Sequence, residues 1–288
     1  MLRKINIFLE MIKFEHTIFA LPFAYMGAIV ASVAEFGALP SWSQIGWVTL
    51  AMVGARSAAM GLNRVIDAAI DAENPRTALR AIPAGLLSKR EVLVFIVVSF
   101  VLLFYAASQL NALCVWLLPV AVFFLTFYSY TKRFTWACHL FLGLTIGLAP
   151  LGGWIAITGA FDLVGLILYA TVAAWVAGFD ILYACQDEQF DRSKGLHSIP
   201  ARFGVAKALY FARGLHALTA FGLVAIWSLA NLSWGYLSGL AIAYVVLFYE
   251  HTLVKPNDLS KINTAFLTMN GILSLVVFTF TLIDVIAL

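Results

Sequence analysis

The chain has 288 residues, of which 62% are hydrophobic and 11% are charged. A soluble domain carries roughly 25% charged residues, so these charges are too few to cover a water-soluble globule, and we expect lipid around most of the chain. The net charge of +3 comes without a long basic cluster, which argues against nucleic-acid binding. Cys114, Cys138 and Cys185 lie in apolar runs without a CxxC motif, which argues against a disulfide framework or a zinc site.

The chain begins with a segment that combines charges with a helical apolar pattern. In residues 1–15, charged side chains are spaced throughout, and apolar residues such as Leu2, Ile5 and Ile12 recur at helical intervals. This pattern is typical of a helix that lies in the membrane interface, and it differs from that of a cleaved signal peptide.

Charge-free stretches predict the membrane-spanning helices, each of which needs about 20 residues. The stretches 92–131 and 214–249 are long enough for two helices each, and polar residues interrupt both near the middle. Single spans are predicted in the other charge-free stretches, which are residues 17–34, 36–55, 134–161, 163–179 and 262–283. The expected fold is an all-α integral membrane protein with nine transmembrane helices.

The basic residues predict how these helices are oriented. All lysines and arginines except Arg56, which lies at the end of the second span, fall on one side if the N-terminus is inside. The turns on the other side contain none; they are residues 35–42, 108–111, 158–163 and 229–234. By the positive-inside rule, we expect a cytoplasmic N-terminus, an outside C-terminus, and cytoplasmic polar loops at 64–91 and 187–213.

The two long polar segments repeat one pattern. Residues 67–84 and 187–201 each begin with D-x-x-x-D and end in Ile-Pro-Ala. Each follows a long span, and four spans separate them. We interpret this as an internal duplication, in which spans one to four correspond to spans five to eight.

The repeated aspartates form two pairs. Side chains four residues apart share a helix face, where two carboxylates repel each other, and nearby hydrocarbon increases this cost. A divalent cation would offset the cost, and Mg²⁺ is typically held by one or two carboxylates together with substrate phosphates. The predicted ligands of Mg²⁺ and a diphosphate are Asp67, Asp71, Asp187 and Asp191.

Further polar residues precede each pair inside the membrane. Arg56 and Asn63 precede the first pair on one helix stripe, and Asp180 and Tyr183 precede the second. Charged side chains at such depth normally face a cavity, so the two stripes are predicted to line one central, cytoplasm-facing pocket. The alternative is that each pair marks only a solvated helix end.

A tight turn between the fourth and fifth spans adds positive charge through Lys132 and Arg133. Lysine acts as a point charge for phosphate, and arginine is a fork for phosphate or carboxylate. Both residues are equally well explained as signals that set the topology. Four other basic residues near the motifs are also candidates for anion binding, although topology is their first interpretation; they are Arg76, Arg80, Arg192 and Lys194.

Together these motifs resemble those of a known family. Residues 63–71 resemble the N-x-x-x-D-x-x-x-D motif of the UbiA superfamily of intramembrane aromatic prenyltransferases. Residues 183–191 resemble its second aspartate motif, and residues 128–133 resemble its Y-x-x-x-K-R turn. Motif order and spacing extend the resemblance over nearly the whole chain. It implies one transmembrane domain over residues 1–288, which we expect in a bacterial plasma membrane.

The resemblance also implies a reaction and roles for residues. The family uses Mg²⁺ to transfer a prenyl group from a polyprenyl diphosphate to an aromatic acceptor. Asn63 and the four aspartates would bind Mg²⁺ and diphosphate, and Lys132 and Arg133 would hold phosphate or the acceptor's carboxylate. Asp180 would orient the acceptor or take its proton, unless it pairs with Arg56. The candidates for binding the acceptor's carboxylate are Arg56, Arg64 and Arg133, and the further substrate-binding predictions are Tyr130 and Tyr183.

Within the family, the chain most resembles the 4-hydroxybenzoate polyprenyltransferases of quinone biosynthesis. It also resembles enzymes that prenylate 1,4-dihydroxy-6-naphthoate or a related naphthoate for menaquinone, so the acceptor stays open, as do prenyl length and oligomeric state. A secondary transporter is the competing class, because repeats and intramembrane charges occur there too. Both motifs lie on one side of the membrane, away from the midplane, which favours the transferase.

Overall fold

The computed structural model describes residues 2–13 and 17–287, so the predicted interfacial helix 1–15 lies partly outside the described residues. The described part is helical and contains no β-strand. Its helices are α1 Leu2–Met11, α2 Thr17–Phe36, α3 Trp42–Ile66, α4 Ala68–Glu73, α5 Lys89–Ser108, α6 Ala112–Trp116, α7 Leu118–Thr131, α8 Cys138–Thr158, α9 Leu163–Ala184, α10 Glu188–Ser193, α11 Ile199–Phe203, α12 Val205–Leu229, α13 Trp234–Leu253 and α14 Asn270–Ala287. A 3₁₀ turn, Cys185–Asp187, joins α9 to α10, and a π-helical segment, Thr264–Met269, precedes α14.

Eight helices within the described ranges are long and apolar enough to cross a membrane; they are α2, α3, α5, α8, α9, α12, α13 and α14. The remaining predicted span, the second half of 92–131, is divided into α6 and α7, and α7 has only 14 residues. The division has a local cause, because Pro119 lies at the start of α7 and has no backbone N–H to donate. The prediction of nine full spans is therefore not confirmed.

The helices α3 and α12 extend furthest beyond the charge-free stretches that predicted them. The second span was expected to end at residue 55, but α3 continues to Ile66, and α12 begins at Val205 instead of residue 214. A charge-free criterion stops at the first basic residue, although arginine is a good helix former. In α3 the Arg56 guanidinium also donates to the backbone oxygens of Ile12 and Lys13, which compensates its charge inside the bundle.

Close backbone contacts join the helices around α8. This helix packs against α2 and α9, while α9 packs against α12, and α3 packs against α5. Glycines allow the contact between α2 and α8: a Cβ at Gly27 would lie 2.1 Å from the Pro150 oxygen, and one at Gly153 would lie 2.1 Å from the Ala24 oxygen. In contrast, α5 exposes apolar side chains suited to lipid, among them Leu93, Val94, Val97, Val98 and Val101.

This packing predicts that Gly153→Val destabilises the protein. The added side chain meets backbone, which cannot rotate away, and overpacking of a core costs about 1–3 kcal/mol. We expect a lower unfolding temperature in detergent by scanning fluorimetry. The matched control is Gly152→Ala, because a Cβ at Gly152 has no neighbour within 4 Å. Equal unfolding temperatures for the two variants would contradict the contact between α2 and α8.

Candidate active site

The two acidic motifs interrupt long helical stretches in the same way. Asp67 separates α3 from α4 with φ −90° and ψ 1°, and Asp187 precedes α10 with φ −100° and ψ 3°. These angles lie near the bridge region between helix and turn, so each motif changes direction at its first aspartate. The matching position of this change agrees with the duplication that the sequence predicts.

Asp67 is the most strongly coordinated of the four aspartates. One oxygen, Oδ2, accepts from Asn63 Nδ2 at 2.9 Å and from Lys132 Nζ at 2.7 Å. The other, Oδ1, accepts from Arg133 Nη2 at 3.0 Å, and the same guanidinium donates to the Ile66 oxygen at 2.9 Å. The structure therefore joins the first motif to the basic turn at the end of α7.

The second and third aspartates pair with arginines of the first polar segment. Arg80 Nη1 donates to both oxygens of Asp71, at 2.7 and 2.8 Å. Asp187 accepts from Asn74 Nδ2 at 3.1 Å and from Arg76 Nε at 2.9 Å, and a second Arg76 nitrogen completes a fork. Asn74 and Arg76 thus connect the segment after α3 directly to the segment after α9, and the two motifs lie at the same end of the bundle.

Asp191 differs from the other three aspartates. It interacts with the Ser198 side chain and has no ion pair with a basic group among the described residues. Beside it, Lys194 forms an exposed ion pair with Glu73, which is a second connection between the polar segments.

Basic side chains neutralise three of the four aspartates and so offset the expected repulsion within each carboxylate pair. Within the described ranges, no three His, Cys, Asp or Glu side chains come together as a group that could hold a metal by themselves. The site does offer several hard oxygen donors, the type that Mg²⁺ prefers. Their chemistry fits an ion whose remaining ligands come from a substrate.

Asp180 has a different partner from the one considered in the sequence. It lies 2.7 Å from Nδ1 of the buried His139, and Nε2 of this ring accepts from the Ile199 backbone N–H at 3.4 Å. Arg56 Nη2 donates to the Lys13 oxygen at 2.8 Å, and the ion pair that the structure gives Asp180 within the described residues is the one with His139. The sequence drew no attention to His139, because its partner is far away along the chain.

Aromatic side chains lie next to both groups of charges. The Tyr183 hydroxyl accepts from Arg76 Nη1 at 3.0 Å, and its ring stacks on Phe266 with centroids 4.2 Å apart. Arg133 lies over the ring of Tyr130, 5.4 Å from its centroid. Cations stack favourably on aromatic faces, so both tyrosines brace an arginine that also binds an aspartate.

The charge state of Arg76 follows from this arrangement. Burial favours the neutral form of the guanidinium, but its hydrogen bonds and attraction to Asp187 outweigh that effect, and the pKa of Arg76 is raised above its ordinary value. The Arg76 guanidinium therefore keeps its charge beside Asp187 as the pH rises.

Comparison with known proteins agrees with this geometry. The profile of the UbiA prenyltransferase family matches residues 20–272, which include both motifs and the basic turn. The chain belongs to the UbiA prenyltransferase family. The resemblance inferred from the motifs is confirmed, and so is the prediction that the chain is a membrane-embedded prenyltransferase.

Relatives of this UbiA prenyltransferase share most of its length. The 4-hydroxybenzoate octaprenyltransferase of Xanthomonas euvesicatoria pv. vesicatoria (strain 85-10) is 31% identical over 241 residues, which are 83% of this chain and 79% of that protein. The mitochondrial 4-hydroxybenzoate polyprenyltransferase of Arabidopsis thaliana is 32% identical over 221 residues, which are 74% of this chain and 53% of that protein.

Solved structures share the fold of this UbiA prenyltransferase. The apo structure of a UbiA homolog from Aeropyrum pernix K1 has a TM-score of 0.84 and 31% identity, and the match covers 94% of this chain and 98% of that one. A UbiA homolog from Archaeoglobus fulgidus, solved with GPP and Mg²⁺, has a TM-score of 0.75 and 21% identity, with 98% and 100% coverage. The second comparison concerns the fold alone.

One residue of this UbiA site, Asn74, is absent from the sequence predictions, and for Arg76 and Arg80 the sequence favours topology over anion binding. All three bind the predicted aspartates. A usable signal was present, because all three follow the first motif within one short turn-rich segment. The roles predicted for the individual site residues remain predictions.

Proposed function

We propose that this UbiA prenyltransferase transfers a polyprenyl group from a polyprenyl diphosphate to the ring of 4-hydroxybenzoate in quinone biosynthesis, with Mg²⁺ as its cofactor. The observation that carries the proposal is the direct connection of the two acidic motifs through Asn74 and Arg76 to Asp187. It brings carboxylates and basic groups from both halves of the chain to one end of the bundle, as binding of a metal-bound diphosphate requires. The two named relatives act on 4-hydroxybenzoate, which favours this acceptor over a naphthoate.

The four aspartates are the proposed ligands of Mg²⁺, and Asn63 supports the site through the hydrogen bond that its Nδ2 donates to Asp67. Mg²⁺ is usually held by one or two carboxylates and completes its shell with substrate phosphate and water. Carboxylates of this set can therefore hold a metal ion whose other ligands come from the diphosphate. When bound, the metal supplies charge that stabilises the leaving diphosphate.

The basic side chains around the aspartates are the proposed diphosphate ligands. Lys132, Arg133, Arg80 and Arg76 now neutralise carboxylates, and the side chains of all four are partly exposed, by 28–31%. Each of these side chains carries several N–H donors, and we propose that those not used by the aspartates would bind phosphate oxygens. Such preorganised donors, directed at developing negative charge, are usually the largest single contribution to catalysis.

The chemistry requires bond cleavage, bond formation and loss of a proton. The allylic C–O bond breaks and the diphosphate departs, and the ring carbon ortho to the acceptor's hydroxyl forms the new C–C bond. The ring then loses a proton. Asp180 is the proposed acceptor of this proton, because its side chain is 23% exposed while its partner His139 is buried. Water would capture the allylic cation, and the membrane-embedded bundle limits its access.

The acceptor's carboxylate needs a cation near Asp180. Of the three predicted arginines, Arg64 is only 7% exposed, and it donates to the Met11 oxygen and to Asn63. Arg133, whose side chain is 31% exposed, is therefore the preferred candidate. Arg56 comes second, because it also donates to the backbone oxygens of Ile12 and Lys13. We also propose that the site faces the cytoplasm, with the N-terminus inside and the C-terminus outside, because the basic residues are on that side.

The proposal is tested by a product assay with purified protein. We expect a prenylated product, detected by mass, when protein in detergent receives Mg²⁺, a polyprenyl diphosphate and 4-hydroxybenzoate. EDTA should abolish formation of the product and excess Mg²⁺ should restore it, because the diphosphate's negative charge would lose its counterion. Parallel reactions with 1,4-dihydroxy-6-naphthoate test the acceptor. Product from the naphthoate alone would reassign the acceptor, and no product from either in folded protein would overturn the proposed function.

A further inference from the structure

The N-terminal helix α1 is attached to the active-site end of the bundle. The ring of Phe8 stacks on Phe95 of α5 with centroids 4.9 Å apart, and Lys4 forms an ion pair with Glu91 at the start of α5. Met11 and Ile12 are both 5% exposed and belong to the same apolar cluster as residues of α5. The helix is therefore packed against the protein as well as being amphipathic.

The end of α1 is capped by guanidinium groups of α3. The last carbonyls of a helix have no partners within it, and Lys13, with φ 51°, ends this helix in a left-handed turn. Arg56 Nη2 donates to the Lys13 oxygen at 2.8 Å, and Arg64 Nε donates to the Met11 oxygen at 3.3 Å. The C-terminal end of α1 is thus held by Arg56 and Arg64, two residues that the sequence analysis predicted as substrate ligands.

Arg64 also determines which way the Asn63 amide faces. Arg64 Nη1 donates to Asn63 Oδ1 at 3.1 Å, and Asn63 Nδ2 donates to Asp67 Oδ2 at 2.9 Å. Arginine can only donate, and an ionised carboxylate can only accept. If the amide were flipped, its NH₂ group would face a guanidinium donor and its oxygen would face a carboxylate. Both contacts would be repulsive, so Arg64 selects the orientation that binds Asp67.

From these contacts we infer that Arg64 is a positioning residue, which acts on the diphosphate site through Asn63 and couples that site to helix α1. This inference rests on the proposed function, because it needs Asn63 and Asp67 to serve the metal-bound diphosphate. It also removes Arg64 from the candidates for binding the acceptor. Helix α1 then contributes to the site indirectly, by holding the guanidinium in place.

A double-mutant cycle tests the inference, because the free-energy effects of substituting two residues that act through one another do not add. Arg64→Gln should lower kcat/KM for the prenyl diphosphate by about 10- to 100-fold, the range expected for loss of a hydrogen bond from a charged group. KM for the acceptor should change little. Asn63→Ala should cause a similar loss, and Arg64→Gln should add little to it. Arg64→Lys should recover part of the activity, because it keeps one charged donor.

Two outcomes separate failure of the inference from failure of the proposed function. If Asn63→Ala lowers kcat/KM and the loss in the double variant equals the product of the two single losses, Arg64 acts independently of Asn63 and the inference is overturned. If Asn63→Ala leaves transfer unchanged, the assignment of Asn63 to the diphosphate site fails first. Thermal unfolding of every variant shows whether the protein folds. A general loss of stability would lower the rate both when the prenyl diphosphate is varied and when the acceptor is varied, whereas the inference predicts a loss specific to the prenyl diphosphate.

A second pair of variants tests the coupling without changing the site. Phe8→Ala removes the ring that stacks on α5, whereas Leu9→Ala changes a neighbouring side chain that is 42% exposed. We expect Phe8→Ala to raise KM for the prenyl diphosphate several-fold when it is the only substitution. In a protein that already carries Arg64→Gln, we expect Phe8→Ala to cause no further change in this KM. Leu9→Ala should match wild type. Equal kinetics for Phe8→Ala and Leu9→Ala would overturn the proposed link from α1 to the site.

Discussion

Replacement of Asp67 by asparagine is expected to reduce prenyl transfer by about 10²- to 10³-fold, the size of effect seen when one electrostatic contact is removed from an active site. The Asp67 side chain is 3% exposed and accepts hydrogen bonds from Asn63, Lys132 and Arg133. Asparagine has the same size, but it lacks the charge, and its NH₂ group would face one of these donors. The proposed metal ligand and the partner of both cations are lost together. Asp187→Asn should have a similar effect.

The measurement is the initial rate of product formation over a range of Mg²⁺ concentrations, with thermal unfolding recorded for each variant. Glu73→Gln is the matched control, because it removes one charge from the same segment but from a side chain that is 58% exposed. Exposed ion pairs contribute little, so this variant should keep near-normal activity. Near-normal turnover by both Asp67→Asn and Asp187→Asn would refute the assignment of the carboxylates to metal and diphosphate.

The helical membrane fold is readable from the sequence because lipid imposes a simple rule: a span must be long and apolar. That rule located every long helix, but it misplaced the ends of α3 and α12, where basic residues continue the helix. It also counted α6 and α7 as one full span. Local chain chemistry at Pro119 divides that stretch, and a rule based on charge alone does not detect such a break.

The acidic motifs could also be predicted from the sequence, because placing carboxylates in or beside a membrane costs free energy and therefore indicates a functional site. Their partners could not be, since pairing depends on which segments meet in space. Asp187 pairs with Arg76, and Asp180 with His139, and neither contact leaves a trace in local spacing. Arginines that return from the turn after the first motif also offset the repulsion between the carboxylates, and the spacing of the aspartates on one helix face does not reveal them.

These contacts give the duplicated motifs unequal surroundings. Asp67 binds Lys132 and Arg133 in the turn after α7. Asp187 instead binds Asn74 and Arg76, which belong to the segment after the first motif. The first segment therefore carries its own aspartates and also contacts those of the second. A substitution in that segment should affect both halves of the site, which makes Arg76 the most informative basic residue to change.

Arg76→Gln is accordingly expected to lower kcat/KM for the prenyl diphosphate by about 10²- to 10³-fold. Arg76 donates twice to Asp187 and once to Tyr183, so its loss leaves a largely buried carboxylate without its cation and the two motifs without their main connection. Arg76→Lys should recover only part of the activity, because lysine cannot form the planar fork. The loss should be constant across the alkaline range, since the pKa of Arg76 is raised and the wild-type ion pair persists there.

Lys194→Gln provides the control for this prediction, because Lys194 also connects the two segments, but through an exposed pair with Glu73. Screening by solvent makes such a pair weak, so the rate should stay close to that of wild type. Rates for all three variants are compared at fixed Mg²⁺ with the prenyl diphosphate varied. Equal losses for Arg76→Gln and Lys194→Gln would contradict this prediction, because they would mean that each connection between the segments is needed, whether it is exposed or not. Loss confined to Arg76→Gln is the expected result, because only Arg76 supplies the cation at Asp187 and the contact with Tyr183.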